Sequence, residues 1–155
     1  MAKLTFSDNF DTFRPYDAQQ APNGVWATDY GYGGKYAWTL NDEKQLYSPY
    51  FGNFDHDNHV TNGDGTLSLV GHATADADVQ AWGYGYTSGL ITTKHSFAQQ
   101  YGYFEMRADM PVEPGTWPAF WLLPKDGSWP PEIDIVEMVG SKPGEVVTTT
   151  HTTTG

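Results

Sequence analysis

The stretch Glu132-Ile133-Asp134-Ile135-Val136-Glu137 decides how the fold is interpreted, because it sets three acids among β-branched residues that favour a strand. In a regular strand alternate side chains share a face, so Glu132 and Asp134 point together and Glu137 points away. A β-bulge near Ile135 or Val136 absorbs one extra residue and re-aims the side chain that follows. We therefore predict a bulged strand that carries all three acids on one face.

Such a strand brings two glutamates within reach of one bond in a sugar chain. Four strand steps set their backbones roughly 13 Å apart, and leaning side chains bring the carboxyls to about 5 to 5.5 Å. That separation suits retaining glycoside hydrolysis, in which one glutamate attacks and the other donates a proton. Asp134 adds a like charge, which raises the pKa of a neighbouring carboxyl and helps to keep one acid protonated near neutrality. The alternative interpretation is a solvated acidic face on an amphipathic strand.

The remainder of the 155-residue chain predicts one all-β domain over residues 1–155. Its 17 glycines and 10 prolines interrupt every helical pattern, so long helices are not expected. Strand-like composition recurs at 66–70, 88–93, 103–109, 117–123, 133–139 and 145–150. The turn residues Asn62-Gly63-Asp64-Gly65 predict a hairpin between Val60 and Leu67. With 6 Trp, 10 Tyr and 8 Phe to bury, these segments favour an antiparallel β-sandwich or barrel.

Charge and missing residue types exclude several classes of function. The net charge of −11 repels a nucleic-acid backbone or an anionic membrane surface, so a neutral partner is expected. The absence of cysteine removes disulfides, thiolate metal sites and thiol nucleophiles. The sequence contains no run of about 18 apolar residues, so no membrane-spanning helix is predicted. The first residues lack the apolar core of a signal peptide, so either the protein stays in the cell or a leader was removed.

The acidic strand and several segments before it resemble glycoside hydrolase family 16. The resemblance is carried by Trp129-Pro130-Pro131 directly ahead of Glu132, by Gly115-Thr116-Trp117-Pro118-Ala119-Phe120-Trp121-Leu122-Leu123-Pro124, by Tyr101-Gly102-Tyr103-Phe104-Glu105-Met106-Arg107, by Ser88-Gly89-Leu90-Ile91-Thr92-Thr93, and by Phe6-Ser7-Asp8-Asn9-Phe10, which looks like the family's opening strand. It implies a concanavalin-like jelly roll of two packed sheets with a concave cleft.

The same resemblance implies endo-acting, retaining cleavage of a β-1,3- or mixed β-1,3/1,4-glucan, or of a galactan. It implies that Glu132 is the nucleophile, Asp134 its hydrogen-bonding modulator and Glu137 the acid/base. The spacing of Glu132 and Glu137 resembles the bulged branch, which holds laminarinase-like, agarase-like and carrageenase-like enzymes. The lichenase-like branch lacks the extra residue.

Six further residues are candidates for substrate binding: Trp117, Trp121, Trp129, Glu105, Arg107 and His151. Indole rings suit the C–H faces of a pyranose, although core packing is the alternative for each tryptophan. Glu105 and Arg107 share a face of the predicted strand 103–109, as a cross-strand ion pair or as cleft contacts to sugar hydroxyls. His151 is expected either to donate a hydrogen bond to substrate or Asp134, or to be structural.

We expect no metal ligands and no required cofactor. The sequence Asp55-His56-Asp57-Asn58-His59 contains ligand types, but strand alternation scatters them over two faces, so a solvated turn is expected. The resemblance implies that a structural calcium is possible in the complete domain, held partly by an acid that lies beyond this sequence.

The resembled domain needs more strands after Glu137, so we expect an incomplete jelly roll that exposes strand edges and apolar faces. A second polypeptide is the favoured source of those strands, and an exchanged copy or a truncation are the alternatives. Activity is then expected only when the missing strands complete the domain. The protein is expected in the extracellular space, after removal of its leader. A carbohydrate-binding jelly roll or an inactive split-domain fragment are the alternative functions.

Overall fold

The computed structural model describes residues 3–30, 41–52 and 58–154 and divides into two compact units, Met1–Ala98 and Gln99–Gly155. The first unit contains β1 (Gln45–Tyr47), β2 (His59–Thr61), β3 (Leu67–Leu69), β4 (His72–Ala73), helix α1 (Ala77–Ala81) and β5 (Tyr86–Ser88). The second contains β6 (Ala119–Leu122), β7 (Glu132–Glu137) and β8 (Val147–His151). The short helix and many short strands confirm the predicted all-β class. The single domain over 1–155 stays a prediction.

The first unit holds a three-stranded sheet in the order β1-β5-β4 and a separate β2-β3 pair. β5 runs antiparallel to β4 but parallel to β1, so the prediction of purely antiparallel pairing is wrong at this pair. The long connection between β1 and β5 allows the parallel direction, which a tight hairpin does not. Helix α1 begins after Asp76, whose side chain accepts from the backbone N–H groups of Asp78 and Val79.

The hairpin predicted from the Asn-Gly and Asp-Gly turns is confirmed as the antiparallel pair β2-β3. Gly63 and Gly65 have φ values of 79° and 81°, a region that favours glycine. Asn62 holds the turn through a backbone hydrogen bond of 3.1 Å to Thr66, and its side-chain amide donates to the Thr66 hydroxyl at 2.8 Å.

Two predictions for the first unit are wrong. Residues 6–10 form no strand, because the Phe10 N–H donates to the Asp8 carboxylate at 2.9 Å and Phe10 has a φ of 53°. The expected solvated turn fails at Asn58 and His59, which are buried. The Asn58 amide donates to Val70 O at 2.7 Å, which offsets the cost of its burial. Residues 55–57 of that motif lie outside the described residues.

The second unit is a meander in the order β6-β7-β8, antiparallel throughout. The strand predicted at 103–109 is absent, because those residues form no ladder with another segment of the described chain, and Tyr103 is 82% exposed.

The segment predicted at 88–93, in the first unit, overlaps β5 only at Ser88, and Thr92 forms an isolated bridge with Ala27.

The apolar core is small among the described residues. Its buried apolar side chains are Ala27, Leu46 and Val79, all in the first unit, while Tyr101 and Val146 in the second unit are 79% and 60% exposed. No helix in the described ranges is long and apolar enough to cross a membrane.

Candidate active site

β7 contains the predicted bulge, and Ile135 is the extra residue. On the β6 side, Trp121 pairs with Asp134 and the adjacent Phe120 pairs with Val136. Two residues of β6 therefore oppose three of β7. This confirms the bulge expected near Ile135 or Val136 and resets the alternation of side chains after it.

The pairing with β8 shows the same extra residue. Asp134 pairs with Thr149 and Glu137 with Val147, so three steps along β7 match two along β8. Because β7 contains one residue more than each neighbouring strand at this point, Glu137 returns to the face that carries Asp134. On β6, Ala119 lies opposite Glu137, and its small side chain leaves room beside that carboxyl.

Asp134 lies at the centre of the cluster and is only 3% exposed. His151 lies opposite Glu132 across the β7-β8 pair, and its Nε2 is 3.1 Å from Asp134 Oδ2. One ligand atom from each of Glu132, Asp134 and His151 falls within 4.8 Å of the others. Of the alternatives expected for His151, the structure shows the hydrogen bond with Asp134.

The pKa of Glu132 lies above its ordinary value, mainly because the carboxyl is partly buried. Burial raises the pKa of Glu132, and the neighbouring Asp134 raises it further, while a hydrogen bond from Trp129 and the charge of His151 lower it. The Trp129 indole donates to Glu132 Oε2 at 2.6 Å. The anion is thus stabilised by a direct donor although a second acid lies beside it.

Glu137 is subject to the same opposing influences. Burial raises the pKa of Glu137, and the charge of Asp134 raises it as well, while a hydrogen bond from Trp117 and the charge of His151 lower it. These influences place Glu137 within electrostatic reach of Asp134 and His151. All three acids therefore act on one site, as the bulge predicts.

The three tryptophans lie at this site in two different ways. Trp117 and Trp129 are 51% and 64% exposed; Trp129 donates a hydrogen bond to Glu132, and Trp117 lies close enough to Glu137 to lower the pKa of that carboxyl. Trp121 is half-buried and shares a face with Asp134, its cross-strand partner. Trp117 lies before the first residue of β6, so the predicted strand beginning at 117 starts too early.

Glu105 and Arg107 are the predicted site residues that the structure does not bring into the cluster. Both are exposed and lie in a segment without a ladder partner, so the shared strand face that we predicted for them is wrong. Glu105 instead accepts a hydrogen bond of 3.0 Å from the Tyr103 hydroxyl. Their role in substrate binding stays a prediction.

A divalent cation has one set of candidate ligands among the described residues, namely Glu132, Asp134 and His151. These groups already interact with one another, because His151 contacts Asp134 and Asp134 hydrogen-bonds to Glu132. Their proximity is explained by this network. The expectation that no metal is required stays a prediction.

Sequence reasoning missed two features of the site. It assigned the tryptophans to sugar binding or core packing and did not foresee that the Trp129 indole donates to Glu132. It also missed Thr148, whose hydroxyl donates to the Ile135 carbonyl at the bulge. A threonine opposite a predicted bulge is the signal that would have suggested this contact, since a bulge leaves backbone groups unpaired.

Comparison with known proteins gives related sequences over most of the chain. It is 47% identical over 151 residues to the Endo-1,3-1,4-beta-glycanase EglC of Rhizobium meliloti (strain 1021), covering 95% of this chain and 32% of that protein. It is 44% identical over 151 residues to the Endo-1,3-1,4-beta-glycanase ExsH of the same organism, with the same coverage. The Glucan endo-1,3-beta-glucosidase A1 of Niallia circulans is 45% identical over 71 residues, which cover 43% of this chain and 10% of that protein.

The chain thus spans about a third of the length of the first two relatives, 32% in each case. The family model for glycosyl hydrolases family 16 matches residues 49–155, which include every residue of the carboxylate cluster. The chain therefore belongs to glycosyl hydrolases family 16, and its strands form part of that family's β-jelly roll.

Proposed function

We propose that this chain carries the catalytic centre of a retaining endo-β-glycanase that cleaves β-1,3- or mixed β-1,3/1,4-glucan. The single observation that carries the proposal is the bulge at Ile135, because it returns Glu137 to the face that holds Glu132 and Asp134. A structural acidic strand has no need of this irregularity. Two glutamates on one face, with their protonation tuned by a third acid, are what double displacement at a sugar requires.

In the first step, a carboxylate oxygen of Glu132 forms a bond to the anomeric carbon while the glycosidic C–O bond breaks. Glu137 gives its proton to the departing oxygen, and a glycosyl ester on Glu132 remains. In the second step, Glu137 takes a proton from water, the water oxygen attacks the anomeric carbon, and the ester bond to Glu132 breaks. Configuration is retained because two inversions occur in sequence.

Asp134 assists both glutamates from a buried position. Its charge raises the pKa of Glu137, which favours the protonated acid that the first step needs. His151 holds the other side of Asp134 at 3.1 Å and limits its rotation. Asp134 thereby modulates the site and takes no part in bond formation.

The substrate class is argued from charge and from exposed rings. A chain with a net charge of −11 suits a neutral polysaccharide better than a sulfated one, because like charges repel. The exposed indoles of Trp117 and Trp129 offer apolar faces to pyranose rings beside the two glutamates. The names of the two most extensive matches, both 1,3-1,4-beta-glycanases, support a glucan.

We propose that additional polypeptide, from a second chain or an exchanged copy, covers the apolar surface of the second unit. Ile133 on β7 lies on the face opposite the carboxylates and is 43% exposed, as expected for a sheet face that lacks its packing layer. Catalysis then depends on this completion. Light scattering of the chain alone and with the candidate partner, together with hydrogen exchange of β7 and β8, tests the dependence.

The proposed chemistry uses carboxyl groups alone, so we expect no cofactor in the reaction, and treatment with a chelator should leave the chemical step unchanged. A structural calcium in the complete domain stays a prediction, tested by the chelator's effect on thermal unfolding. We also propose an extracellular location, because a glucan polymer is too large to cross a membrane.

Chemical rescue tests the assigned roles. Glu132→Ala and Glu137→Ala are each assayed on an activated β-glucoside with and without azide, and product configuration is determined by NMR. Azide should restore turnover of Glu132→Ala with an α-glycosyl azide as product, and of Glu137→Ala with a β-glycosyl azide. Glu145→Gln is the matched control, because this exposed acid pairs with Lys142 at 3.7 Å on the same unit.

Activity is measured as release of reducing ends from a β-1,3-glucan, a mixed β-1,3/1,4-glucan and a β-1,4-glucan. The proposal is supported when the first or second polymer is cleaved and both alanine variants lose activity by about 10³-fold or more. Unchanged turnover in Glu132→Ala removes Glu132 from its role. Glucan binding without any cleavage by the completed domain favours the carbohydrate-binding alternative.

A further inference from the structure

The contact between Trp129 and Glu132 is short and directional. The indole Nε1–H donates to Oε2 at 2.6 Å, just below the range of about 2.7 to 2.9 Å that is usual for N–H donors to carboxylates. Trp129 is nevertheless 64% exposed, although its ring also contacts the His151 ring with centroids 5.9 Å apart, so part of the indole stays open while its N–H is engaged. The Trp129 indole can therefore donate a hydrogen bond to the nucleophile through its N–H and stack on a sugar with its ring.

The loop between β6 and β7 delivers this indole through its own hydrogen bonds. Ser128 donates to the Asp126 carboxylate from its backbone N–H at 3.0 Å and from its hydroxyl at 2.8 Å. The Gly127 N–H bonds to Pro124 O at 3.2 Å, and Gly127 has a φ of 80° that favours glycine. Because a proline follows Trp129, its backbone is restricted as well. The indole thus approaches Glu132 from a constrained turn.

We infer that Trp129 is a positioning residue for Glu132, whose indole N–H binds one carboxylate oxygen and fixes the orientation of the nucleophile. This inference rests on the proposed function, because it assigns Trp129 to the nucleophile of that reaction. It goes beyond the sugar-binding role predicted from sequence. The two roles have different signatures, since orientation depends on the N–H and stacking depends on the ring.

The N–H has a defined effect on each chemical step. In the first step it stabilises the Glu132 carboxylate in the ionised form that attacks, although Asp134 lies beside it. In the second step the ester bond breaks and negative charge returns to the same carboxylate. The indole donor stabilises that developing charge, so it should accelerate deglycosylation.

Trp117 provides a matched comparison. It lies near Glu137 and lowers the pKa of that carboxyl, as Trp129 lowers the pKa of Glu132. Removing the N–H at Trp129 should affect the titration of Glu132, and removing it at Trp117 should affect that of Glu137. A nonspecific loss of an aromatic ring would not separate the two glutamates in this way.

The experiment compares Trp129→Phe, Trp129→Ala and Trp117→Phe with the unmodified protein. Carbon-13 NMR of the glutamate carboxyls follows the ionisation of Glu132 and Glu137 in the free protein, and pH profiles of kcat/KM follow activity. Trp129→Phe should raise the pKa of Glu132 by about one unit, which moves the acidic limb of the profile to higher pH. Trp117→Phe should move the basic limb instead.

Kinetics separate the N–H from the ring. Trp129→Phe should lower kcat by about tenfold with little change in KM, and Trp129→Ala should raise KM in addition. In the unmodified protein, the Trp129 indole proton should shift with pH in step with the Glu132 carboxyl, a measurement that needs no variant. The inference is overturned if the chemical shift of the Trp129 indole proton does not follow the ionisation of Glu132. It is also overturned if the pKa of Glu132 is unchanged in Trp129→Phe.

The outcomes distinguish this inference from the proposed function. If the completed domain cleaves no glucan, the proposed function fails, while the NMR titrations still decide whether Trp129 controls Glu132. If cleavage is normal and Trp129→Phe keeps the original acidic limb, the positioning role fails alone.

Discussion

The hydroxyl of Thr148 on β8 donates a hydrogen bond of 3.1 Å to the carbonyl oxygen of Ile135 on β7. Ile135 is the extra residue of the bulge, so this side chain satisfies a backbone group at the point where the ladder shifts register. The placement of Glu137 depends on that shift. Thr148 therefore supports the site although it lies outside the carboxylate cluster.

Replacing Thr148 by valine should weaken the bulge. The loss of one exposed hydrogen bond should lower the free energy of unfolding by about 0.5 to 1 kcal/mol and reduce kcat several-fold as Glu137 becomes less well placed. Thr148→Ser keeps the hydroxyl and should retain both properties. Denaturant unfolding and steady-state kinetics measure the effects. Equal loss in both variants would show that the methyl group, rather than the hydroxyl, matters.

Deleting Ile135 should be tolerated better than its position between the acids suggests. The deletion leaves Glu-Ile-Asp-Val-Glu, in which simple alternation sets all three acids on one face without a bulge. It also restores equal residue counts against β6 and β8. We expect activity within about 100-fold of the original protein, whereas inserting one alanine after Ile135 should cost about 10³-fold or more. Similar losses in both variants would contradict this account.

Replacing Asp134 by asparagine should change the pH dependence of the reaction. The charge of Asp134 raises the pKa of Glu137, so its removal lowers that pKa. Glu137 acts first as an acid and loses activity above its pKa, so the basic limb of kcat/KM should move to lower pH. A shift of about half a pH unit is expected, together with a lower kcat. A basic limb that stays in place or moves to higher pH would argue against this coupling.

Replacing Val79 by alanine tests the small core of the first unit. Val79 is fully buried on the helix that Asp76 caps, so the lost methyl groups leave a cavity. The free energy of unfolding should fall by about 2 kcal/mol. Asp78→Asn, an exposed change on the same helix, should have less than half this effect. Thermal unfolding followed by circular dichroism provides the comparison.

Short-range chemistry was enough to predict several features. The turn glycines at positions 63 and 65 specify the hairpin, and the three acids on one strand require an extra residue if they are to act together. A hydrogen bond between His151 and Asp134 was also among the alternatives that the sequence offered. Each of these depends on residue types and on alternation along one or two neighbouring strands.

Long-range pairing decided what the sequence pattern left open or misplaced. Residues 103–109 have strand composition but no ladder partner among the described segments, and β1 meets β5 in the parallel direction. Asn58 is buried because Val70 accepts its amide hydrogen, and the indole of Trp129 is engaged because a loop turns it toward Glu132. The type of a residue determines which interactions its side chain is able to make. Which partner it meets depends on how distant segments pack together, because hydrogen bonds and burial require proximity in space.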